Sequence, residues 1–231
     1  MDLLLALLRA LGARLADALA PPTCAACDAL LRRGAVFCAP CAHAVVRGLG
    51  PPVENGPRVV AFALYGGPVA EALRRLKYGS RPDLAAPLGH LARWAARDGG
   101  VEADLVVPVP LHPTRLAERG YNQAALLGGH VARELGVPMA ARGLTRTRDT
   151  PQQARLDRAA RLGNVGGAFQ ARAPGRILGR RVVLVDDVAT TGATLAACRA
   201  ALLGAGAASV TAVVVARAEG AGHGREPEAT G

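Results

Sequence analysis

Aromatic side chains make up only 3% of this 231-residue chain, and lysine is nearly missing: Lys77 is the single lysine among 28 basic residues, the rest being arginine. The first scarcity argues against an extended base-stacking surface, although a formal net charge of +10 favours nucleic acid, nucleotides or other polyphosphates as partners. The second, in a chain rich in Ala, Gly and Arg, attributes part of the positive excess to genomic base composition. A membrane-crossing run is lacking too. Leu3, Leu4, Leu7, Leu8, Leu11 and Leu15 recur at near-helical spacing in residues 1–20, but Arg9, Arg14 and Asp17 interrupt them. The segment reads as an amphipathic helix, too short and too charged to span a bilayer, that either packs on its own chain or docks on a membrane surface or partner. Asp2 stands where a secretory signal carries positive charge, so a cytoplasmic protein is expected. Residues 218–231 show no apolar periodicity and read as a disordered tail.

Cysteine is scarce but patterned. Four of the five cysteines form Cys24-Ala-Ala-Cys27 and Cys38-Ala-Pro-Cys41, with ten residues between the pairs. Two-residue gaps let both sulfurs of a pair face one tetrahedral ion, and a module of roughly 30 residues needs such a staple in place of a core. Structural zinc is the first choice. The short inner gap leaves a rubredoxin-like iron site or a redox dithiol open. His43 is a bystander or a substitute ligand. The fifth cysteine, Cys198, falls on the apolar face of a helix, which favours a packed thiol over a nucleophile. Gly48, Gly50, Pro51, Pro52, Gly56 and Pro57 give the clearest linker signal, closing a four-cysteine module over 21–50 before a larger domain over 58–217 with its own core.

Within that domain, RVVLVDDVATTGATL at 181–195 carries the most chemical information. Val182 to Val185 read as a strand buried on both faces of a parallel sheet, and Leu195, Cys198 and Leu202 recur at helical spacing. Between them, Val188, Ala189, Thr190, Thr191, Gly192, Ala193 and Thr194 form a turn with little bulk, several hydroxyls and a helix N-terminus, a setting for a phosphate monoester. Asp186 and Asp187 stand at the carboxyl end of the strand, where open α/β sheets place ligands. Carboxylates there accept hydrogen bonds from sugar hydroxyls or hold a divalent ion.

Strand and helix signals alternate along the rest of the domain, with strands at 58–64, 104–109 and 209–216 and helices around Val69–Leu76, Leu84–Trp94 and Ala125–Leu135. Such alternation predicts a mainly parallel sheet flanked by helices. Two further segments supply donors. VPVPLHPTRLAERGYNQA at 107–124 offers Arg115, Arg119, Asn122 and Gln123, with His112 a contact or a surface histidine. Residues 144–169 hold Arg146, Arg148, Gln152, Gln153 and Arg155, read either as a mobile cover or as a solvated helix. These cations, with Lys77 in its Leu-Lys-Tyr-Gly turn, suit a pyrophosphate or a nucleic-acid backbone.

The order of apolar strand, two acids, two small residues and Thr-Thr-Gly-Ala-Thr resembles the 5-phosphoribosyl-1-pyrophosphate (PRPP) signature of type I phosphoribosyltransferases, although Ala189 replaces a commoner larger aliphatic residue. With the paired CxxC motifs, LKYG and the two donor segments, the ordered set from Cys24 to Thr194 looks like the competence protein F (ComF, ComFC-like) family. That resemblance implies an N-terminal zinc module joined to a type I phosphoribosyltransferase fold. It also implies that Asp186 and Asp187 contact ribose hydroxyls while residues 190–194 wrap the 5′-phosphate, with Mg²⁺ accompanying PRPP. The family is bacterial, cytoplasmic and implicated in DNA uptake during natural transformation. Two functions follow. One is a PRPP- or nucleotide-binding protein that contacts single-stranded DNA and a helicase or recombination mediator. The other is an active transferase releasing pyrophosphate to a nucleobase or amine. No segment resembles the glutaminase unit that an amidophosphoribosyltransferase needs to supply ammonia.

Overall fold

The computed structural model describes residues 21–32, 34–48, 53, 55–147 and 168–218. The amphipathic helix, most of the second arginine-rich segment and the tail expected from the sequence lie outside the described residues. Among those described, no helix is long and apolar enough to cross a membrane.

Four parallel strands form the sheet: β1 (Arg58–Leu64), β2 (Leu105–Pro108), β5 (Arg181–Ala189) and β6 (Ser209–Arg217), in the order β1-β6-β5-β2. A short antiparallel pair, β3 (Leu144–Arg146) and β4 (Phe169–Ala171), sits apart. The helices are α1 (Ala39–His43) between the cysteines, α2 (Gly67–Tyr78), α3 (Ala85–Asp98), α4 (Pro113–Arg119), α5 (Gln123–Leu135) and α6 (Ala193–Gly204). The β5 run is a strand because its β-branched residues are buried on both faces, with Val182, Val183, Leu184 and Val185 at 1% exposure or less. Burying each such side chain contributes about 1.5–3 kcal/mol. On one face, Val183, Val185 and Val213 pack with Leu73, Leu88 and Leu127 of α2, α3 and α5. On the other, Val182, Leu184 and Val214 pack with Leu195, Cys198 and Leu202 of α6.

The strand expected to end at Val185 runs on to Ala189, because pairing with β6 continues through Asp186 with Val214, Val188 with Ala216 and Ala189 with Arg217. Both acids therefore belong to the strand and inherit its rigidity. The chain leaves β5 through α6 toward β6, and leaves β2 through α5 toward a single parallel bridge between Met139 and Val106 on the opposite edge. The two connections diverge, so the crevice between the carboxyl ends of β5 and β2 is the topological switch point where such sheets bind ligands.

The cysteine module shares the main core. Ala25 and Val36 are buried in the cluster that contains Leu73 and Leu76 of α2. Arg75 of α2 donates to the carbonyl of Ala25 (3.1 Å) and pairs with Asp28, and Arg81 reaches the same carboxylate at 3.2 Å.

Candidate functional site

Successive residues of a strand face opposite ways, and here that alternation separates the two acids. Asp187 lies on the α2 face, its side chain 4% exposed, with Lys77 Nζ 2.6 Å from Oδ2. Oδ2 is buried, and among the described residues the Lys77 ammonium is the partner that faces it. Burial works against the Lys77 ammonium, but Asp187 and then Asp186 outweigh it and hold its pKa above the ordinary value. Asp186 sits on the α6 side and accepts from the backbone N–H of Asp187 at 2.8 Å. Burial, then the charge of Asp187, raises its carboxyl well above the usual carboxylate range, with Lys77 opposing. Burial and the nearby Asp186 push the Cys198 thiol up as well, so Cys198 is an inert core thiol, as its apolar surroundings suggested.

The turn after β5 delivers the phosphate-type loop. Gly192 is buried with φ 78°, and a Cβ there would lie 2.4 Å from Val53 Cγ1, so both backbone conformation and space require glycine. Thr190 and Thr191 are exposed, and Thr191 Oγ1 accepts from Ala193 N–H at 3.4 Å. The N-cap residue of α6, Gly192, has no side chain to cap the first turn. Hydroxyls and unsatisfied N–H groups thus converge where an anion is stabilised.

The donor segment after β2 is more ordered than a turn. Pro108 closes β2, His112 accepts from Thr114 N–H (3.4 Å) to cap α4, and Gly120, at φ 79°, ends it. Arg119 donates to Gln123 Oε1 at 2.6 Å and its guanidinium stands 5.5 Å from the Tyr78 ring centroid. The Tyr121 hydroxyl donates to the Leu76 carbonyl, tying this segment to the helix that carries Lys77. A cavity of about 230 Å³ opens between them, lined by Lys77, Tyr78, Ser80, Arg115, Glu118, Arg119 and Tyr121. The structure thus brings Lys77 beside Arg115 and Arg119, which follow it by about 40 residues in sequence. Asn122 and Gln123 serve the scaffold. The Asn122 amide accepts from Ala124 N–H and donates to the Val109 carbonyl, both at 3.0 Å, and Gln123 is 4% exposed. Arg146 lies on β3, 5.7 Å from the Phe169 ring centroid, while Arg148, Gln152, Gln153 and Arg155 lie outside the described residues.

The second cluster is sulfur. The Sγ atoms of Cys24, Cys27, Cys38 and Cys41 all lie within 4.8 Å of one another, and none is in a disulfide. Cys27 and Cys38 are 3.6 Å apart, close to the roughly 3.8 Å edge of a tetrahedron with metal–sulfur bonds of about 2.3 Å. Burial opposes ionisation of Cys24, but backbone N–H groups of Cys38, Ala26 and Cys27 bring its pKa down to about 6. Cys41 is pushed up to about 12 by burial and by its neighbouring thiols. Four converging sulfurs that cannot share several negative charges alone form a site that can hold a metal ion. Sequence reasoning did not anticipate Asp28 of this module as the anchor to Arg75 and Arg81.

A parallel sheet with paired acids and a hydroxyl-lined loop at its switch point defines a type I phosphoribosyltransferase fold, and the sequence profile of the phosphoribosyl transferase domain matches residues 121–230. Among curated proteins, DNA utilization protein YhgH of Escherichia coli K12 is 33% identical over 198 residues, 81% of this chain and 86% of the relative. Competence protein F of Haemophilus influenzae is 31% identical over 180 residues, 75% of each chain. A solved glutamine PRPP amidotransferase from B. subtilis, complexed with ADP and GMP, aligns at 26% identity over 60% of this chain and 30% of that one, with a TM-score of 0.43. The chain belongs to the family of DNA utilization protein YhgH and competence protein F.

Proposed function

We propose that this protein binds PRPP, or a nucleotide with the same phosphoribosyl group, and acts in the handling of incoming DNA, as the names of its relatives indicate for them. The observation that carries the reading is the juxtaposition of Asp186, Asp187 and Lys77 beside the Thr190–Thr194 loop at the switch point. The two carboxylates accept the ribose hydroxyls, and residues 190–194 donate to the 5′-phosphate. Lys77, Arg115 and Arg119 face the pyrophosphate side through the shared cavity. Mg²⁺, when bound, supplies charge neutralisation on the pyrophosphate, and Asp187, joined by Asp186 once it gives up its proton, would hold it. Lys77, 2.6 Å from Asp187 Oδ2, supplies the positive charge that faces that carboxylate. Zinc on the four cysteines supplies rigidity to the module that grips α2, and the working compartment is the cytoplasm.

The arginines of 146–161 fit a polynucleotide backbone, and the cysteine module fits a helicase or recombination mediator. An active transferase is the second reading, favoured by the same constellation, because positioning PRPP and stabilising the leaving pyrophosphate need no covalent residue. Titration of PRPP with Mg²⁺ by calorimetry tests the first reading: the wild type binds and Asp186→Asn/Asp187→Asn does not, while remaining folded. An unchanged titration overturns the ribose assignment. Pyrophosphate release with any nucleobase or amine, abolished by the double substitution, establishes the transferase instead.

A further inference from the structure

Lys77 enters the phosphate cavity from the last turn of α2, and that turn is held from two sides. On one side the Tyr121 hydroxyl donates to the Leu76 carbonyl. On the other stands the first cysteine pair. Asp28 follows Cys27 directly, in the left-handed region at φ 61°, with its N–H donating to the Cys24 carbonyl at 3.0 Å. Its carboxylate takes Arg75 of α2 and, at 3.2 Å, Arg81 beyond the end of that helix. The two arginines bracket residues 77–80, of which Lys77, Tyr78 and Ser80 line the cavity. Both are anchored further: Arg75 is 16% exposed and donates to the Ala25 carbonyl at 3.1 Å, and Arg81 pairs with Asp83 at 2.8 Å. Ser80 has φ 51°, a strained conformation for a residue with a side chain, so its turn keeps that shape only while its neighbours impose it.

Exposed ion pairs of this kind contribute little to stability, so the clamp matters for where it places the chain. The four cysteines have a fixed arrangement only while their sulfurs share an ion. Asp28, next to one of those ligands, takes its place from that arrangement, and Arg75 and Arg81 take theirs from Asp28. The Thr190–Thr194 loop is positioned by β5 instead, so the clamp bears on the pyrophosphate end of the ligand. We infer that Asp28 is a positioning residue for the phosphate cavity: through Arg75 and Arg81 it ties the metal-bound shape of the cysteine module to the placement of Lys77 and Ser80, so that the metal and a polyphosphate ligand strengthen each other's binding. Such linkage is reciprocal by thermodynamic necessity. The identity of the ligand rests on the proposed function, while the tie between Asp28 and Lys77 does not.

Because Lys77 is the single lysine, ¹³C-labelled lysine gives one ε-methylene NMR signal that reports its ion pair in the full chain. Asp28→Asn keeps a residue that accepts the left-handed conformation and removes the charge that holds the arginines. With zinc bound, this variant shifts the Lys77 signal and binds PRPP with Mg²⁺ about fivefold more weakly than the wild type. Zinc affinity, read by competition with a chromophoric chelator, rises about fivefold in the wild type when PRPP is added and stays unchanged in Asp28→Asn, a difference that a merely structural role would not produce. Arg81→Gln removes one arm of the clamp without touching the cysteine module and shifts the Lys77 signal in the same direction, which keeps the test decisive if Asp28→Asn loses its zinc. An unmoved Lys77 signal in Arg81→Gln, or in zinc-loaded Asp28→Asn, overturns the clamp. Zinc affinity indifferent to PRPP in a wild type that binds PRPP overturns the linkage. Failure of PRPP to bind the wild type overturns the proposed function, and the Lys77 signal still decides whether Asp28 positions the cavity.

Discussion

Replacing Lys77 by methionine isolates the electrostatics of the site while retaining length and helix propensity. The substitution leaves Asp187, with a side chain 4% exposed, and the adjacent Asp186 without the ammonium that stands 2.6 Å away. A unit pair at 4 Å is worth about 4 kcal/mol at an effective dielectric constant of 20, and removing one partner of a fully buried pair costs about 3–5 kcal/mol. Lys77 is 22% exposed, so water screens part of this attraction and the expected loss falls to about 2–3 kcal/mol. For a chain of this size that lowers the melting temperature by about 4–12 °C. Adding Asp187→Asn removes the stranded charge and restores most of the loss, giving a coupling of about 1.5–2 kcal/mol in a double-mutant cycle followed by urea denaturation at pH 7. Raising NaCl from 0.05 to about 0.5 M changes that coupling little, because an enclosed pair is weakly screened. Additivity of the two substitutions within about 0.5 kcal/mol refutes the pair as a source of stability.

The raised pKa of Asp186 means that the native state holds its proton more firmly than the unfolded chain, so stability falls as pH rises from about 4 through the raised value. Asp186→Asn removes that slope and raises the melting temperature at neutral pH while abolishing PRPP binding; an unchanged melting profile contradicts the assignment. Asp104, held at about 2 by hydrogen bonds from Arg181, contributes stability above its unfolded value that is lost as pH falls through about 2, so Asp104→Asn flattens the acid limb of the profile. Metal analysis under reducing conditions finds one zinc per chain, and chelation lowers the melting temperature of the whole protein because Ala25 and Val36 share the main core. Neutralising Arg155 and Arg158 weakens single-stranded DNA binding and lowers its logarithmic salt slope by roughly 0.7 per lost phosphate contact; weakened PRPP binding with DNA affinity intact assigns them to a cover over pyrophosphate.

The parallel sheet was legible because β2, β5 and β6 carry β-branched runs buried on both faces, which leave no polar alternation to misread. The acids and the Thr190–Thr194 loop were legible for a different reason: their chemistry is contiguous, so spacing alone assembles them. The Lys77–Asp187 pair joins residues on two elements that only the strand order brings together, and no local pattern announces it. Helix α4 escaped because it buries no residue and so carries no apolar period. The β3–β4 pair escaped because its strands have three residues each and lie far apart in sequence. Arg217 closes an apolar strand like any surface residue would, and only its enclosure distinguishes it.

The strand order also governs when this molecule can take shape as it leaves the ribosome. β1 finds its sheet partner only in β6, which is synthesised about 150 residues later, after every other described strand. Until then β1 presents an unpaired edge and α3, although packed on α5, lacks the β6 part of its floor, which makes the nascent chain slow to close and exposed to aggregation. The cysteine cluster needs none of this delay, since its ligands span only residues 24–41. A metal captured early would hold one end of α2 in wait, and any truncation before Ser209 would strand the first third of the protein rather than merely shorten its last.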